Sequence, residues 1–194
     1  MAGKAKPEPS SFRDPSGLVF YYRGQVYRQI NRSYQKNYDL LVSSGLYKTL
    51  TKENLLIPHQ TADKHLTVSK ATYKVIKPQK VDFISYPYEW CFSQLKDAAL
   101  LTLRIQKIAL KHQMSLKDAS AFNVQFVGWK PILIDTLSFE KYQKGWPWVA
   151  YQQFCQHFLG PLALMAYTDV RLSQLLRVYL DGLPLDLVSR LLPK

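Results

Sequence analysis

Apolar and polar positions alternate with a period of two near the start of the chain. Leu18-Val-Phe-Tyr-Tyr22 and Gln25-Val-Tyr-Arg-Gln-Ile30 flank Arg23-Gly24, a pattern that predicts two strands around a tight turn. Tyr34, Tyr38, Leu41 and Val42 then recur at near-helical spacing, which predicts a helix over residues 31–50 that Gly45 interrupts or ends. Residues 51–70 hold Pro58, His59, His65 and many polar groups and read as a loop with both histidines at the surface. Ala71–Ile76 and Val81–Ser85 read as two further strands joined across Lys77-Pro78, and Tyr86–Trp90 as a rigid aromatic connector.

The pattern then changes period. Leu95, Ala98, Leu101, Ile105, Ile108 and Ala109 make a stripe on a long helix that starts with Ser93 as N-cap and runs to about Lys111. Val124–Val127 and Ile132–Ile134 predict a second hairpin, with Gly128-Trp-Lys-Pro131 as its turn. From there only helical signals remain: residues 149–158, a break at Gly160-Pro161, then 161–167, 173–180 and 185–192. The Pro-, Ser-, Lys- and Glu-rich residues 1–16 read as a mobile tail. Together these elements predict an α+β chain. A small antiparallel β-rich lobe spans 17–88, and a mainly helical lobe spans 89–194.

Composition narrows the function classes. Among 194 residues 47% are hydrophobic, enough for a core, and the formal net charge is +12. The excess is spread: residues 1–50 carry +5 (8 basic, 3 acidic), 51–120 carry +5 (11 and 6) and 121–194 carry +2 (7 and 5). No block of five basic residues occurs, so a nucleic-acid partner is the less favoured reading. Cys91 and Cys155 sit in aromatic, apolar settings and read as buried free thiols, which predicts a reducing cytoplasm. The N-terminus lacks the apolar run of a signal peptide. The longest apolar run, Pro161–Tyr167, is too short for a membrane span, so no membrane partner is expected.

The candidate chemistry lies between Ser115 and Asp135. Asp118 and Asn123 are five residues apart, and Asp135 follows the second hairpin. Mg²⁺ takes hard oxygen ligands and keeps several waters, so one amide oxygen (Asn123) and one carboxylate (Asp135) suffice to hold it against nucleotide phosphates. Asp118 would orient an acceptor hydroxyl and take its proton. The plainer reading gives the same residues structural roles: Asp118 a turn residue, Asn123 a hairpin lead-in, Asp135 the end of a strand.

The Asp118, Asn123 and Asp135 pattern resembles the catalytic core of the protein-kinase-like superfamily, including its aminoglycoside-phosphotransferase-like branch. The resemblance implies a two-lobed fold with ATP and Mg²⁺ between the lobes. It makes Asp118 the base, Asn123 and Asp135 the metal ligands, and Tyr86–Trp90 the hinge, where Glu89 marks the adenine's way out. Arg28, or Lys74 in the later strand, would meet the phosphates. The chain departs from the family at several places. No glycine-rich loop precedes the second strand, and Arg28 stands where a lysine is expected. Leu116 and Lys117 replace His and Arg, and Thr136-Leu137 replaces Phe-Gly. Transfer of a phosphoryl group is therefore placed in doubt, while Mg–nucleotide binding remains the expectation.

A longer resemblance rests on residues 84–100, 116–123, Ile134-Asp-Thr-Leu-Ser-Phe-Glu140 and Tyr151-Gln-Gln-Phe-Cys-Gln-His-Phe158. It is to the N-terminal region of bacterial proteins labelled class I S-adenosylmethionine-dependent methyltransferases, the nodulation-protein NoeA-like group. This implies a methyltransferase domain as partner and a chain that is C-terminally truncated. No glycine pattern for S-adenosylmethionine follows a strand in this chain. Two readings follow: a Mg–nucleotide-binding, degenerate phosphotransferase-like domain, or a non-catalytic module that binds substrate or partner for the methyltransferase.

Overall fold

The computed structural model describes residues 5–9, 11 and 14–193, without the side chain of Lys64. A five-stranded antiparallel sheet forms first, in the order β1 (Lys6–Pro7), β2 (Gly17–Tyr22), β3 (Gln25–Asn31), β5 (Thr72–Pro78), β4 (His59–Ala62). The β2–β3 turn needs two positive φ angles and has them, at Arg23 (49°) and Gly24 (73°). The tail differs from expectation. Lys6 and Pro7 pair with Tyr21 and Phe20, and the Ser11 hydroxyl accepts from the Val19 N–H, so the described part of residues 1–16 extends the sheet.

The pleat sorts the sheet's two faces. Register pairs Val19 with Arg28 and Tyr21 with Val26, so these four side chains share one face. Phe20, Tyr27 and Gln29 lie on the other. There the buried Gln29 amide is bonded by Ser69, Val68 and Asn31, and the 63–71 segment covers it. Helices α1 (Gln35–Ser43) and α2 (Leu46–Lys52) are split by Gly45 at φ 80°. Tyr34 and Tyr38 pack with Ile30, Ile76 and Leu137.

Residues 81–85 form no strand. They leave β5 as an irregular segment and lead through a 3-10 turn at Pro87–Glu89 into α3 (Phe92–Lys111). Cys91, not Ser93, is its N-cap, and its thiol is exposed, whereas Cys155 is buried as expected. Helix α3 buries Leu95, Ala98, Leu101, Ile105 and Ala109 in the main core. Leu41, Leu46, Leu50, Leu55 and Leu56 lie in that same cluster. The α1–α2 region thus shares the core of the helical part.

Two short pairings follow: β6 (Met114–Leu116) with β9 (Phe139–Lys141), and β7 (Val124–Val127) with β8 (Lys130–Leu133). Neither β6 nor β9 was legible as a strand. The expected break at Gly160-Pro161 is also absent. One helix runs from Tyr151 to Tyr167 through a π-helical turn at Cys155–Leu159, where the Gly160 N–H reaches the Cys155 carbonyl. The wider turn relieves the clash that a proline ring makes with the preceding turn. Residues 170–177 are 3-10 helix, and a last α-helix, Leu185–Leu191, follows.

Candidate functional site

Leu116 pairs with Phe139, so β6 and β9 close residues 117–138 into one loop with the β7–β8 hairpin inside it. This nested closure brings Asn123 next to Asp135: the Asn123 carbonyl accepts the Ile134 N–H at 2.8 Å. Their side chains line a cavity of about 460 Å³. Its opposite wall is the sheet face bearing Val19, Tyr21, Val26 and Arg28, and residues 78–82 with Ile84 connect the two walls. The segment lining the cavity is therefore the one just after β5. Tyr86–Trp90 comes later, at the start of the helical part.

The polar end of the cavity is organised by Arg28. Its Nη1 meets Asp135 Oδ1 at 2.8 Å, and its Nη2 meets Asp14 Oδ2 at 3.0 Å. All three side chains are largely buried, and the Arg28 Nε has no partner. Two carboxylates on one guanidinium leave a net negative charge of one. Asp135 Oδ1 also accepts the Leu137 N–H at 2.8 Å, which closes a tight turn after the hairpin. Asp135 Oδ2 has no partner among the described residues. The Asn123 amide N–H₂ turns to Ser138 Oγ at 3.4 Å, which leaves its Oδ1 unpartnered among them. One carboxylate oxygen and one amide oxygen thus remain, a set that fits a Mg²⁺ ion that keeps most of its waters. Elsewhere, no group of three or more His, Cys, Asp or Glu able to hold a metal occurs among the described residues.

Other named residues lie outside this cavity. Asp118 accepts the Ser120 N–H at 2.9 Å and starts the turn before Asn123, but does not line the cavity. Its charge acts on the buried His157. Burial pushes that imidazole down, and Asp118 opposes the shift. Lys74, the alternative to Arg28 for meeting phosphates, also lies outside the cavity lining. Its ammonium lies over the Tyr38 and Tyr73 rings, at 4.9 and 5.5 Å, and away from the cavity lining. Glu89 likewise does not line it; its carboxylate caps the Tyr86 N–H at 2.8 Å. His59 is not a surface residue. Its ring packs on Tyr47 at 4.5 Å and bonds the Tyr38 hydroxyl at 3.0 Å, and burial pushes its pKa down to about 4, with the Lys74 charge adding to the shift.

One contributor had no sequence signal. Asp14 sits in a Pro- and Ser-rich segment and reaches Arg28 only through the fold. Lys117 points its ammonium at Ser16 Oγ (2.6 Å) and over the Tyr34 ring (4.9 Å). The buried Tyr34 hydroxyl donates to the Phe139 carbonyl at 2.5 Å, and burial pushes its pKa far up, so it stays a neutral donor.

No helix of the described residues is long and apolar enough to cross a membrane. No family model matches the chain. Among solved structures it is similar to vaccinia related kinase 3, at 10% identity and a TM-score of 0.45, over 72% of this chain and 49% of that one. Among curated proteins it is 34% identical over 186 residues to nodulation protein NoeA of Rhizobium meliloti (strain 1021). That match covers 93% of this chain and 39% of the relative, so the chain is similar to NoeA along nearly all its length and spans about two fifths of it.

Proposed function

We propose that the cavity between the sheet and the helical part is a kinase-like Mg–nucleotide site, in a domain that accompanies a methyltransferase. The observation that supports this best is the convergence of Arg28, Asn123 and Asp135 in a cavity whose walls include Val19, Val26, Ile57, Val81, Ile84 and Ile134, with Gln79, Lys80 and Asp82 as its further polar lining. Apolar walls suit a base, and convergent polar groups suit a phosphate end. Asn123 and Asp135 would hold Mg²⁺, which when bound screens the phosphates and bridges them to the protein. Arg28 would turn from Asp14 to a phosphate oxygen, trading one charge-assisted bond for another. Asp118 would be the acceptor-orienting base only if its turn moves toward the cavity. Its place outside the lining and the lack of a glycine-rich loop favour binding with little or no phosphoryl transfer.

A second reading is supported by the engagement of both carboxylates in local structure, Asp118 at Ser120 and Asp135 at Leu137 and Arg28. In it the domain is a non-catalytic module that positions substrate or partner for the methyltransferase.

A thermal-shift titration separates them. ATP with Mg²⁺ at 100 times its dissociation constant would stabilise the fold by about 2.7 kcal/mol, a rise of roughly 5–10 °C for a chain of this size. EDTA would remove the rise, and S-adenosylmethionine would produce none. Asp135→Asn keeps an acceptor for Leu137, loses the charge for the metal and leaves Arg28 paired with Asp14, so the variant folds with a lowered melting temperature and the rise with ATP and Mg²⁺ disappears. Asp14→Asn frees Arg28 and would tighten ATP several-fold. A flat response to ATP with Mg²⁺ would sink the nucleotide reading.

A further inference from the structure

A second cavity, of about 360 Å³, shares no residue with the first. It lies between the C-terminal half of α3, the β6–β9 pair and residues 142–149. Register places Ser115 opposite Glu140, so both side chains project on one face of that pair, while Leu116 and Phe139 enter the core on the other. The floor is the Gln106 amide. Its carbonyl accepts the Leu116 N–H at 2.7 Å and its NH₂ donates to Ser115 Oγ at 3.0 Å, which fixes its orientation.

The walls are aromatic and of two kinds. Trp148 is held: its indole N–H donates to the Leu116 carbonyl at 2.7 Å and its ring packs on Phe154. Trp146 is free. It is 70% exposed, and among the described residues its ring meets no other ring and its indole N–H no acceptor. Around the rim, the Glu140 carboxylate, the Tyr142 hydroxyl and the Gln143 amide have no hydrogen-bond or ion-pair partner among the described residues. A fixed tryptophan, a free one and three unspent polar groups thus surround one opening.

This set selects a ligand class. No lysine or arginine lines the cavity, so a phosphate or carboxylate ligand finds no partner. A methylated ammonium would find rings and one carboxylate, but would leave the Tyr142 hydroxyl and the Gln143 amide unused. A neutral ligand with one apolar face and many hydroxyls uses every group. Its C–H face lies on an indole, and its hydroxyls donate to the carboxylate and exchange bonds with the amide and phenol. We propose that this cavity binds a neutral saccharide, with Trp146 as the stacking platform and Glu140, Tyr142 and Gln143 as its hydrogen-bonding rim. Glu140 is the one carboxylate in the lining, whereas most glycoside hydrolases use a pair, so the proposal is binding and not cleavage.

The test is an array of neutral hexose and N-acetylhexosamine oligomers, followed by calorimetry on any hit, with tetramethylammonium and inorganic phosphate as further probes. The expected result is saturable binding of at least one neutral oligomer, weakened about tenfold or more by Trp146→Ala and several-fold by Glu140→Gln, and unchanged by Asp135→Asn. Because Trp146 is exposed, Trp146→Ala should keep the parent melting temperature, and Glu140→Gln supplies an independent check. The proposal is overturned by an array without hits, by binding indifferent to both substitutions, or by tetramethylammonium or phosphate binding in place of the sugars.

Discussion

His59 shows how a single residue's chemistry depends on what surrounds it. Its neighbours Pro58 and Gln60 give no hint of burial, yet Tyr38, Tyr47 and Lys74 enclose the ring and hold it neutral. The folded pKa lies near 4 and the unfolded one near 6.5, so the unfolded chain binds the extra proton in between. Stability from this residue is therefore full above about pH 6.5 and is lost as pH falls toward 4. On the order of 2 kcal/mol goes between pH 7 and pH 5. Urea melts at those two pH values should show a smaller loss in His59→Gln than in the parent, since carboxylates and His157 titrate alike in both. Equal losses would mean that His59 is not held neutral. Arg28 makes the same point for charge: its two carboxylate partners come from a segment before β2 and a turn after β8.

At the scale of elements, close approach matters as much as periodicity. Gly17 opens β2, and a Cβ there would stand 2.1 Å from the Gln29 carbonyl oxygen and 2.8 Å from a Leu137 methyl. Gly24, at φ 73°, has open space around it. Gly17→Ala should therefore cost several kcal/mol by forcing β2 from β3, while Gly24→Ala should cost only about 1 kcal/mol of backbone strain. Denaturant midpoints of the two variants measure the difference, and similar midpoints would show that the β2–β3 pair yields easily. The β2–β3 and β7–β8 hairpins and α3 were legible because turn chemistry and a repeating apolar face are local properties. The β6–β9 pair was not, because three residues carry too little period, and what stabilises the pair is burial of Met114, Leu116 and Phe139 in the core. Gly160-Pro161 misled in the opposite sense, since a π turn lets the helix pass a proline.

The whole molecule reads in sequence as two lobes, yet its packing crosses that boundary. Ile57 donates to the Leu133 carbonyl, and Leu133 donates to that of Leu55, which adds the 55–57 segment to the β7–β8 hairpin. The Tyr34 hydroxyl reaches Phe139, 105 residues away. A shared core predicts one cooperative unfolding transition. All four tryptophans lie after residue 89, so fluorescence reports the helical part, while far-ultraviolet circular dichroism reports the entire chain. Coincident urea curves are expected, and separated ones would mean that the sheet unfolds alone.

The amino-acid sequence by itself determined the α+β character, the two hairpins, the long helix and the candidacy of Asn123 and Asp135. Turn residues and apolar periods act over a few positions and need no partner to be read. Only the tertiary structure decided that Asn123 and Asp135 share a cavity with Arg28, that Asp14 and Asp135 both pair with that arginine, and that Asp118, Lys74 and Glu89 stand apart from the cavity. It also assembled the tryptophan-lined cavity from α3, β6, β9 and a loop. The physical reason is the same in each case. Burial and charge pairing act between groups that chain connectivity leaves distant, and their partners are chosen by the packing of the whole chain.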